Sequence, residues 1–317
     1  MILVVTHKSD FTADFLIQKL NERDIPYYRL NCEDIGTRTD VSLSSKSGFA
    51  PVIDGQDKFS GVWFRRTKLP DLEGIDPYVE AYYLSEFQWF QRNLWNTIDA
   101  RWISEPDYVY RAENKFLQLK TAQQIGFAIP PTLISTDIQE ISKFYEDCEG
   151  QLIIKPIYNN RFEHKNGSQL IYTTKISNLE LEKLLESIPL PSIYQRYVEK
   201  KCEIRVTVIN DAVFAASVNS QQSEMTKVDW RRERLPFTSY SLPQMLQDKC
   251  VEIVRALNLS FGAIDLIETP EGDYVFLEIN PNGQWAWIEM DTGLPISDTI
   301  IDFLQNARIK QQAREIS

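Results

Sequence analysis

The chain has 317 residues, 43% of them apolar and 25% charged, and carries a formal net charge of −11. That is enough chain for two or three compact lobes with sizeable cores, and an acidic balance gains nothing from neutralising phosphates, which argues against a nucleic-acid partner. No run approaches the roughly 18 uninterrupted apolar residues of a membrane span, and the opening MILVVTHKSD lacks the flanks of a signal peptide, so a cytoplasmic protein with no membrane partner is expected.

Ile2 to Val5 is a short apolar run suited to a buried parallel strand, and Asp10 to Leu20 follows with helical spacing. Tyr27 to Leu30 and Gly61 to Phe64 read as further strands. Tyr83, Phe87, Phe90, Leu94 and Ile98 share one helical face, which predicts a long amphipathic helix over Pro77 to Thr97. Glu105-Pro106 reads as a linker, because proline pushes the preceding residue out of the helical region. A helix near Ala112 to Ile125 is stopped by Gly126. Next come a strand near Thr132 to Ile134, a helix near Ile138 to Tyr145 and a strand from Gln151 to Lys155. Gln169 to Thr173 and Ile193 to Val198 are predicted strands with a helix rich in Leu and Glu between them. EIRVTVI and AVFAASV, joined by Asn210-Asp211, form a hairpin. Gln221 to Leu235 is charged and aperiodic, a loop, and Gln244 to Leu257 is helical. FGAIDLIE and DYVFLEI then form two strands joined at Thr269-Pro270-Glu271-Gly272. The order predicts a fold that is α/β and α+β: an N-terminal α/β lobe over 1–106, a central lobe over 107–197 and a C-terminal lobe over 198–317.

Cys32, Cys148, Cys202 and Cys250 form no CxxC pair, and the two histidines are His7 and His164. That set suits neither a zinc site nor a His-based triad, so buried structural thiols are expected.

The last two strands carry the clearest chemistry. Asp265 lies in one, while Glu278 and Asn280 lie two residues apart in the other and so share a face. Three hard oxygen donors without His or Cys suit Mg²⁺. The alternative is a solvated polar edge, which the apolar neighbours Val275, Phe276, Leu277 and Ile279 disfavour. Lys155 ends a strand in IIKP, and Lys115 opens a helix after Asn114; either can meet a phosphate or stand in solvent. The segment from Ile193 to Glu199 offers backbone donors and acceptors to an adenine edge, Glu203 can accept from ribose hydroxyls, and Arg205 can reach phosphate. An amphipathic strand pair with surface charges is the plainer reading of that stretch.

Taken in order, Lys115, Lys155 in IIKP, YQRYVE, EIRVTVI, GAIDLI and LEINPNG resemble the ATP-grasp superfamily over roughly the last two-thirds of the chain. MILVVTHKSD, VWFRR at Val62 to Arg66 and LEINPNGQWAWIE at Leu277 to Glu289 resemble the microviridin-type, or graspetide, ligases over nearly the whole of it. The resemblance implies an ATP-grasp fold and a ligase that uses ATP and Mg²⁺. Such a ligase activates Asp or Glu side chains of a ribosomal precursor peptide as acyl phosphates and joins them to Thr/Ser hydroxyls or Lys amines. It also implies Asp265, Glu278 and Asn280 as Mg²⁺ ligands, and Lys115 and Lys155 on the phosphates. Gln195, Arg196 and Val198 would meet adenine, Glu203 the ribose, and Arg205, with Lys155, the transferred phosphate. The implied partners are a precursor with a leader and a core rich in acids and hydroxyls, and a second copy in a homodimer.

The loop Tyr158 to Ser168 departs from the glycine-rich phosphate loop of many relatives, holding Gly167 alone, so Arg161 or Lys165 would have to contribute. Asp229, Trp230, Arg231 and Arg232 are the candidates for peptide contact; Arg65 and Arg66 are candidates for meeting an acidic core; Trp285 and Trp287 are expected in a core or interface. No residue is singled out as general base. Two other readings stay open. One is a ligase that adds an amino acid to a peptide or protein carboxylate; the other is a nucleotide-binding regulatory protein without turnover, which the complete acidic set disfavours.

Overall fold

Residues 2–6, aliphatic or β-branched throughout, form β1 (Ile2–Thr6), buried along its whole length in the computed structural model of the chain. The structure describes residues 1–158, 161–164, 167–170, 172–178, 180–181 and 190–305, with 161–164 and 167–170 described by their backbone. Asp10 caps α1 (Phe11–Glu22) by accepting from the N–H groups of Thr12 and Ala13. Then come β2 (Tyr27–Asn31), the short antiparallel pair β3 (Val41–Ser42) and β4 (Val52–Ile53), β5 (Gly61–Phe64), α2 (Pro77–Trp95) and β6 (Arg101–Ile103). Their main sheet is parallel in the order β2-β1-β5-β6, which explains why β1 and β5 read as unbroken apolar runs. Of the predicted apolar face of α2, Leu94 and, just past the helix, Ile98 are buried and Phe87 and Phe90 half-buried, but Tyr83 stands in solvent with Tyr78, Val79, Tyr82 and Trp89; Trp95, off that face, is buried.

Glu105-Pro106 does not act as a linker. Glu105 is extended, as a residue before proline should be, but Pro106 opens α3 (Pro106–Ala112) at a first-turn position, where its missing N–H is no loss. Asn114 caps α4 (Lys115–Ile125), and Gly126 ends it at φ 89°.

The central lobe contains β7 (Thr132–Ser135), α5 (Ile138–Asp147), β8 (Leu152–Lys155), β9 (Arg161–His164), β10 (Gly167–Leu170), β11 (Thr174–Ile176) and β12 (Ser192–Arg196). Its antiparallel sheet runs β11-β8-β12-β7, with β9 and β10 forming a separate hairpin. The strand predicted over Gln169 to Thr173 is divided between the end of β10 and the approach to β11. Most of the helix predicted before β12 lies outside the described residues, as does Lys165; so does the side chain of Arg161.

The C-terminal lobe is built from β13 (Cys202–Ile209), β14 (Ala212–Val218), β15 (Thr238–Ser239), α6 (Gln244–Ala256), β16 (Phe261–Glu268), β17 (Tyr274–Asn280), α7 (Ala286–Thr292) and α8 (Ile296–Gln305). Its antiparallel sheet runs β15-β14-β13-β16-β17. Asn210 closes the β13–β14 hairpin at φ 53°, a left-handed conformation that asparagine tolerates.

The apolar cores cross these lobes. Leu3, Val62 and Phe64 pack in one cluster with Leu119, Ile204, Val206 and Ile264; Val4, Leu16 and Trp63 pack in another with Trp285, Ile300 and Leu304. The central lobe has its own small core of Ile141, Cys148, Leu152, Ile176, Leu181 and Tyr194. Contact between α8 and β5 is close at Gly61, where a Cβ would come within 2.7 Å of the Leu304 carbonyl oxygen. All four cysteines are free; Cys32, Cys148 and Cys250 are buried, and the half-buried Cys202 donates to Glu268 at 3.3 Å. Among the described residues no helix is long and apolar enough to cross a membrane.

Candidate functional site

Strand register assembles the centre of the site. Arg205 on β13 pairs directly with Asp265 on β16, and Asp265 pairs with Glu278 on β17. Cross-strand partners share a face, so three charged side chains are forced together by pairing alone. A register shift between Asp265 and Leu266 bends the sheet here, as bulges near functional sites commonly do. The Arg205 Nη1 donates to both Asp265 oxygens, at 2.9 and 2.8 Å. Asn280 Nδ2 donates to Asp265 Oδ2 at 3.2 Å and to Glu278 Oε1 at 3.4 Å.

The two carboxylates are driven apart in acidity. Burial pushes Asp265 up against the pull of Arg205, and Glu278 adds repulsion. Glu278 overcomes the same burial because Lys115, Lys155 and Arg231 surround it, and they hold it well below the ordinary carboxylate range. Lys115, at the start of α4, places Nζ 3.3 Å from Glu278 Oε2 and 3.5 Å from the Pro156 carbonyl oxygen. Lys155, at the end of β8, is lowered to about 8 by burial, with Lys115 and Lys200 acting in the same direction and Glu278 and Glu203 opposing.

Two carboxylates and one amide offer hard oxygen donors only, and no group of three His, Cys, Asp or Glu side chains gathers among the described residues. The set fits Mg²⁺, which takes few protein ligands. A divalent cation would relieve the repulsion that raises Asp265, with the Asn280 amide turned to present its oxygen.

At the other end, Gln195 on β12 is 1% exposed and donates to Thr132 Oγ1 at 3.0 Å, while its Oε1 has no partner among the described residues. The Arg196 side chain turns to Glu149, at 3.6 Å, and the N–H groups of Arg196 and Tyr197 are taken by the carbonyls of Pro131 and Gln151, at 3.0 and 2.7 Å; Arg196, Tyr197 and Val198 all line the site. Glu203 accepts from Lys200 Nζ at 2.8 Å, and Lys200 also donates to the Val228 carbonyl at 3.0 Å. Lys200, only 9% exposed, went unnoticed in the sequence, where Lys200-Lys201 looks like a solvated pair.

The 229–232 segment divides. Asp229 is 4% exposed, and its oxygens are taken by the Thr173 N–H at 3.2 Å and by Arg231 at 2.8 and 2.6 Å. It is a brace, and the expectation that it meets a peptide gives way to that geometry. Arg231 carries its charge toward Asp265 and Glu278, and Asp229 raises its pKa further through hydrogen bonding. Trp230 packs against Trp287 and Phe237, with centroids 5.5 and 5.2 Å away. Arg232 turns back to the Thr173 carbonyl at 3.3 Å and the Tyr172 ring. Trp285 is fully buried in the core, as expected.

Arg65 takes the structural role usual for an arginine at a strand end. It is 1% exposed, pairs with Asp10 at 3.3 Å and donates from Nη1 to the carbonyls of Asn282 and Gly283, at 3.0 and 3.2 Å. Asn282 Nδ2 returns a bond to the Arg65 carbonyl at 3.2 Å. Arg65, a candidate for meeting an acidic core, is thus the tie between the N-terminal lobe and the turn after Asn280. Gly283 lies tightly in that turn: a Cβ there would meet Ala263 Cβ at 2.3 Å and Arg205 Nη2 at 2.6 Å.

One cavity of about 820 Å³ joins these parts. Lys115, Lys155, Gln195, Arg196, Val198, Glu203, Arg205, Asp265, Glu278 and Asn280 all line it, as do Asp229, Trp230, Arg231 and Trp287; Arg232 does not. Arg66 and Glu113 close the side toward the N-terminal lobe. Such a cavity can hold a phosphate chain between cations and a carboxylate-bound metal, with an apolar slot beyond it.

Comparisons with known proteins agree. The RimK-like ATP-grasp domain profile matches residues 112–304. The solved macrocyclase MdnC from Microcystis aeruginosa MRC, bound with precursor peptide MdnA, superposes with a TM-score of 0.86 at 27% identity, over 97% of this chain and 100% of that one. A RiPP-associated ATP-grasp ligase of Chryseobacterium gregarium, in complex with ADP and a leader and core peptide, gives a TM-score of 0.87 at 26% identity over 96% of each chain. Among curated proteins, the tetrahydromethanopterin:alpha-L-glutamate ligase of Methanocaldococcus jannaschii is 23% identical over 206 residues, 63% of this chain and 68% of that protein.

Proposed function

The chain belongs to the RimK-like ATP-grasp family of ATP-dependent carboxylate ligases, and on that footing we propose that it cyclises a ribosomally made precursor peptide. The closeness of the superposition carries this reading: the two peptide-bound ligases overlay 96–97% of the chain, N-terminal lobe included, with TM-scores of 0.86 and 0.87 at 26–27% identity.

A carboxylate at neutral pH is a poor electrophile, so it must first be activated. A peptide Asp or Glu oxygen attacks the γ-phosphorus of ATP, the bond to ADP breaks, and an acyl phosphate forms. A Thr or Ser hydroxyl, or a Lys amine, then attacks the acyl carbon. Inorganic phosphate leaves, the nucleophile's proton passes to phosphate or water, and an ester or amide closes the ring. Asp265, Glu278 and Asn280 would hold Mg²⁺, which supplies charge neutralisation on the phosphate oxygens. Lys115 and Lys155 bind phosphates; Arg205 orients Asp265 and, with Lys155, serves the transferred phosphate. Gln195, Arg196 and Val198 take adenine. Glu203 takes the ribose.

Three sheets support the division into lobes at 1–106, 107–197 and 198–317. Trp230 and Arg231 are the residues of their segment left to meet a peptide. The exposed aromatics of α2, Tyr78, Tyr82, Tyr83 and Trp89, support a homodimer through that helix. A cytoplasmic site, where ATP and new peptide meet, goes with this reading.

The glutamate-ligase likeness favours a second reading, addition of an amino acid to a carboxylate. Product mass separates the two. Incubated with ATP and Mg²⁺, the precursor encoded beside the gene should lose one water per ring; a gain of a residue mass would select ligation, and an unchanged mass would reject cyclisation. Glu278→Gln should abolish the loss of water with the fold intact, and normal turnover in that variant would sink the metal assignment.

A further inference from the structure

Beside the main cavity lies a smaller one of about 360 Å³, lined by His7, Ser9, Asp10 and Lys68 and sharing Arg66, Thr67 and Gln284 with its neighbour. Its charges do not cancel. Asp10 is the carboxylate in this lining, and it is already engaged by Arg65, the Thr6 hydroxyl and two N–H groups of α1. Arg66 makes no hydrogen bond or ion pair among the described residues; the carboxylate whose field it feels is Glu113, across in the main cavity. Lys68 Nζ donates to Ser9 Oγ, at 3.1 Å, and to no carboxylate among the described residues. The lining therefore carries two solvent-exposed cations, Arg66 and Lys68, neither in an ion pair among the described residues, against one carboxylate that Arg65 already engages, in a protein whose net charge is −11. His7 registers the resulting field: burial and Lys68 lower its pKa, Asp10 and Glu33 oppose, and Arg66 lowers it further.

We propose that this cavity is a carboxylate subsite, where Arg66 and Lys68 hold a second acidic side chain of the peptide while the first is activated beside Glu278. The proposal rests on the peptide-cyclising reading. Arg66 belongs to both cavities, so one peptide can span them; acids one or two residues apart are separated by roughly 3–7 Å along an extended chain. A planar guanidinium beside an ammonium suits a carboxylate better than a neutral amide. The subsite would select peptides carrying clustered acids and would fix which acid reaches the reacting phosphate.

The test uses fluorescein-labelled pentaglutamate, with pentaglutamine as the neutral probe, binding to the full chain with ADP and Mg²⁺ present. Arg66→Gln/Lys68→Gln should weaken pentaglutamate binding about tenfold and leave pentaglutamine unchanged. Lys46→Gln/Lys58→Gln, which removes equal charge from exposed positions elsewhere, should bind as the parent does. Equal binding by the Arg66/Lys68 variant, or equal loss in the Lys46/Lys58 control, overturns the subsite. Precursor cyclisation is scored separately. An unmodified precursor with the parent protein rejects the cyclase reading while the binding result still judges the subsite; cyclisation by the parent with undiminished pentaglutamate binding in the Arg66/Lys68 variant rejects the subsite alone.

Discussion

Arg65→Met should destabilise the protein by about 5 kcal/mol, a large fraction of what holds an ordinary domain together. Both members of the Asp10–Arg65 pair are 1% exposed, and removing one partner of a buried pair typically costs about 3–5 kcal/mol. Asp10 would still keep the Thr6 hydroxyl at 2.9 Å and the positive end of α1, which places this part near the lower bound, about 3 kcal/mol. The carbonyls of Asn282 and Gly283 also lose their donor, at about 1 kcal/mol each. Asp10→Asn should cost less, about 3 kcal/mol, because asparagine caps a helix as well as aspartate and Arg65 keeps both carbonyls. The double variant should lose clearly less than the two single losses together. Equilibrium urea unfolding followed by tryptophan fluorescence suits the site, since the guanidinium lies 5.2 Å from the Trp63 ring and Trp285 lies 6.0 Å beyond. A wild-type midpoint for Arg65→Met, or strict additivity in the cycle, would refute the pair as the tie between lobes.

Three further outcomes are expected. Gly283→Ala should displace Arg205, cost about 1–3 kcal/mol through overpacking, and abolish turnover; an active, stable variant would show that the turn can retreat from Arg205. Lys155, lowered to about 8 by burial, should lose charge as pH rises through that value, so ADP affinity should fall above pH 8 in the parent and fall less in Lys155→Arg, as isothermal titration would reveal. Asp10 resists its burial because Arg65 holds its folded pKa below the ordinary value. The unfolded chain therefore takes up its proton first as pH drops through about 4, and stability should fall there, with a shallower slope in Asp10→Asn.

Much of this was legible in the residues. GVWF and FGAIDLIE became strands at the expected bounds because buried strands need unbroken apolar runs, and Asn114 and Gly126 bracketed α4 because caps are local chemistry. The metal-type triad was visible because Glu278 and Asn280 alternate on one strand, and Asp265 falls opposite once the hairpin closes. What escaped depended on distant partners. An arginine after a strand reads as exposed until Asp10, 55 residues earlier, is known to face it. Lys200 escapes notice, and Arg231 reads as a peptide contact alone, for the same reason: the acids that explain them are supplied by folding. Pro106 failed differently, since a proline that begins a helix and one that ends a linker carry the same local signal. Nothing in the letters NPNG tells that the Ala263 methyl and the Arg205 guanidinium crowd the place a Cβ would take at Gly283.

The packing of α8 against β5 has a consequence for how the molecule is made. Val4, Leu16 and Trp63 share their core with Ile300 and Leu304, so the first sheet to leave the ribosome waits for residues roughly 300 positions later before its apolar face is covered. Until then that face is open to chaperones or to aggregation. The central lobe, whose small core draws on residues 133–194 among those described, needs no such delay. Synthesis should therefore deliver the middle of the protein folded before its beginning, and a chain halted ahead of residue 296 should fail to set its first sheet rather than lose only a helix.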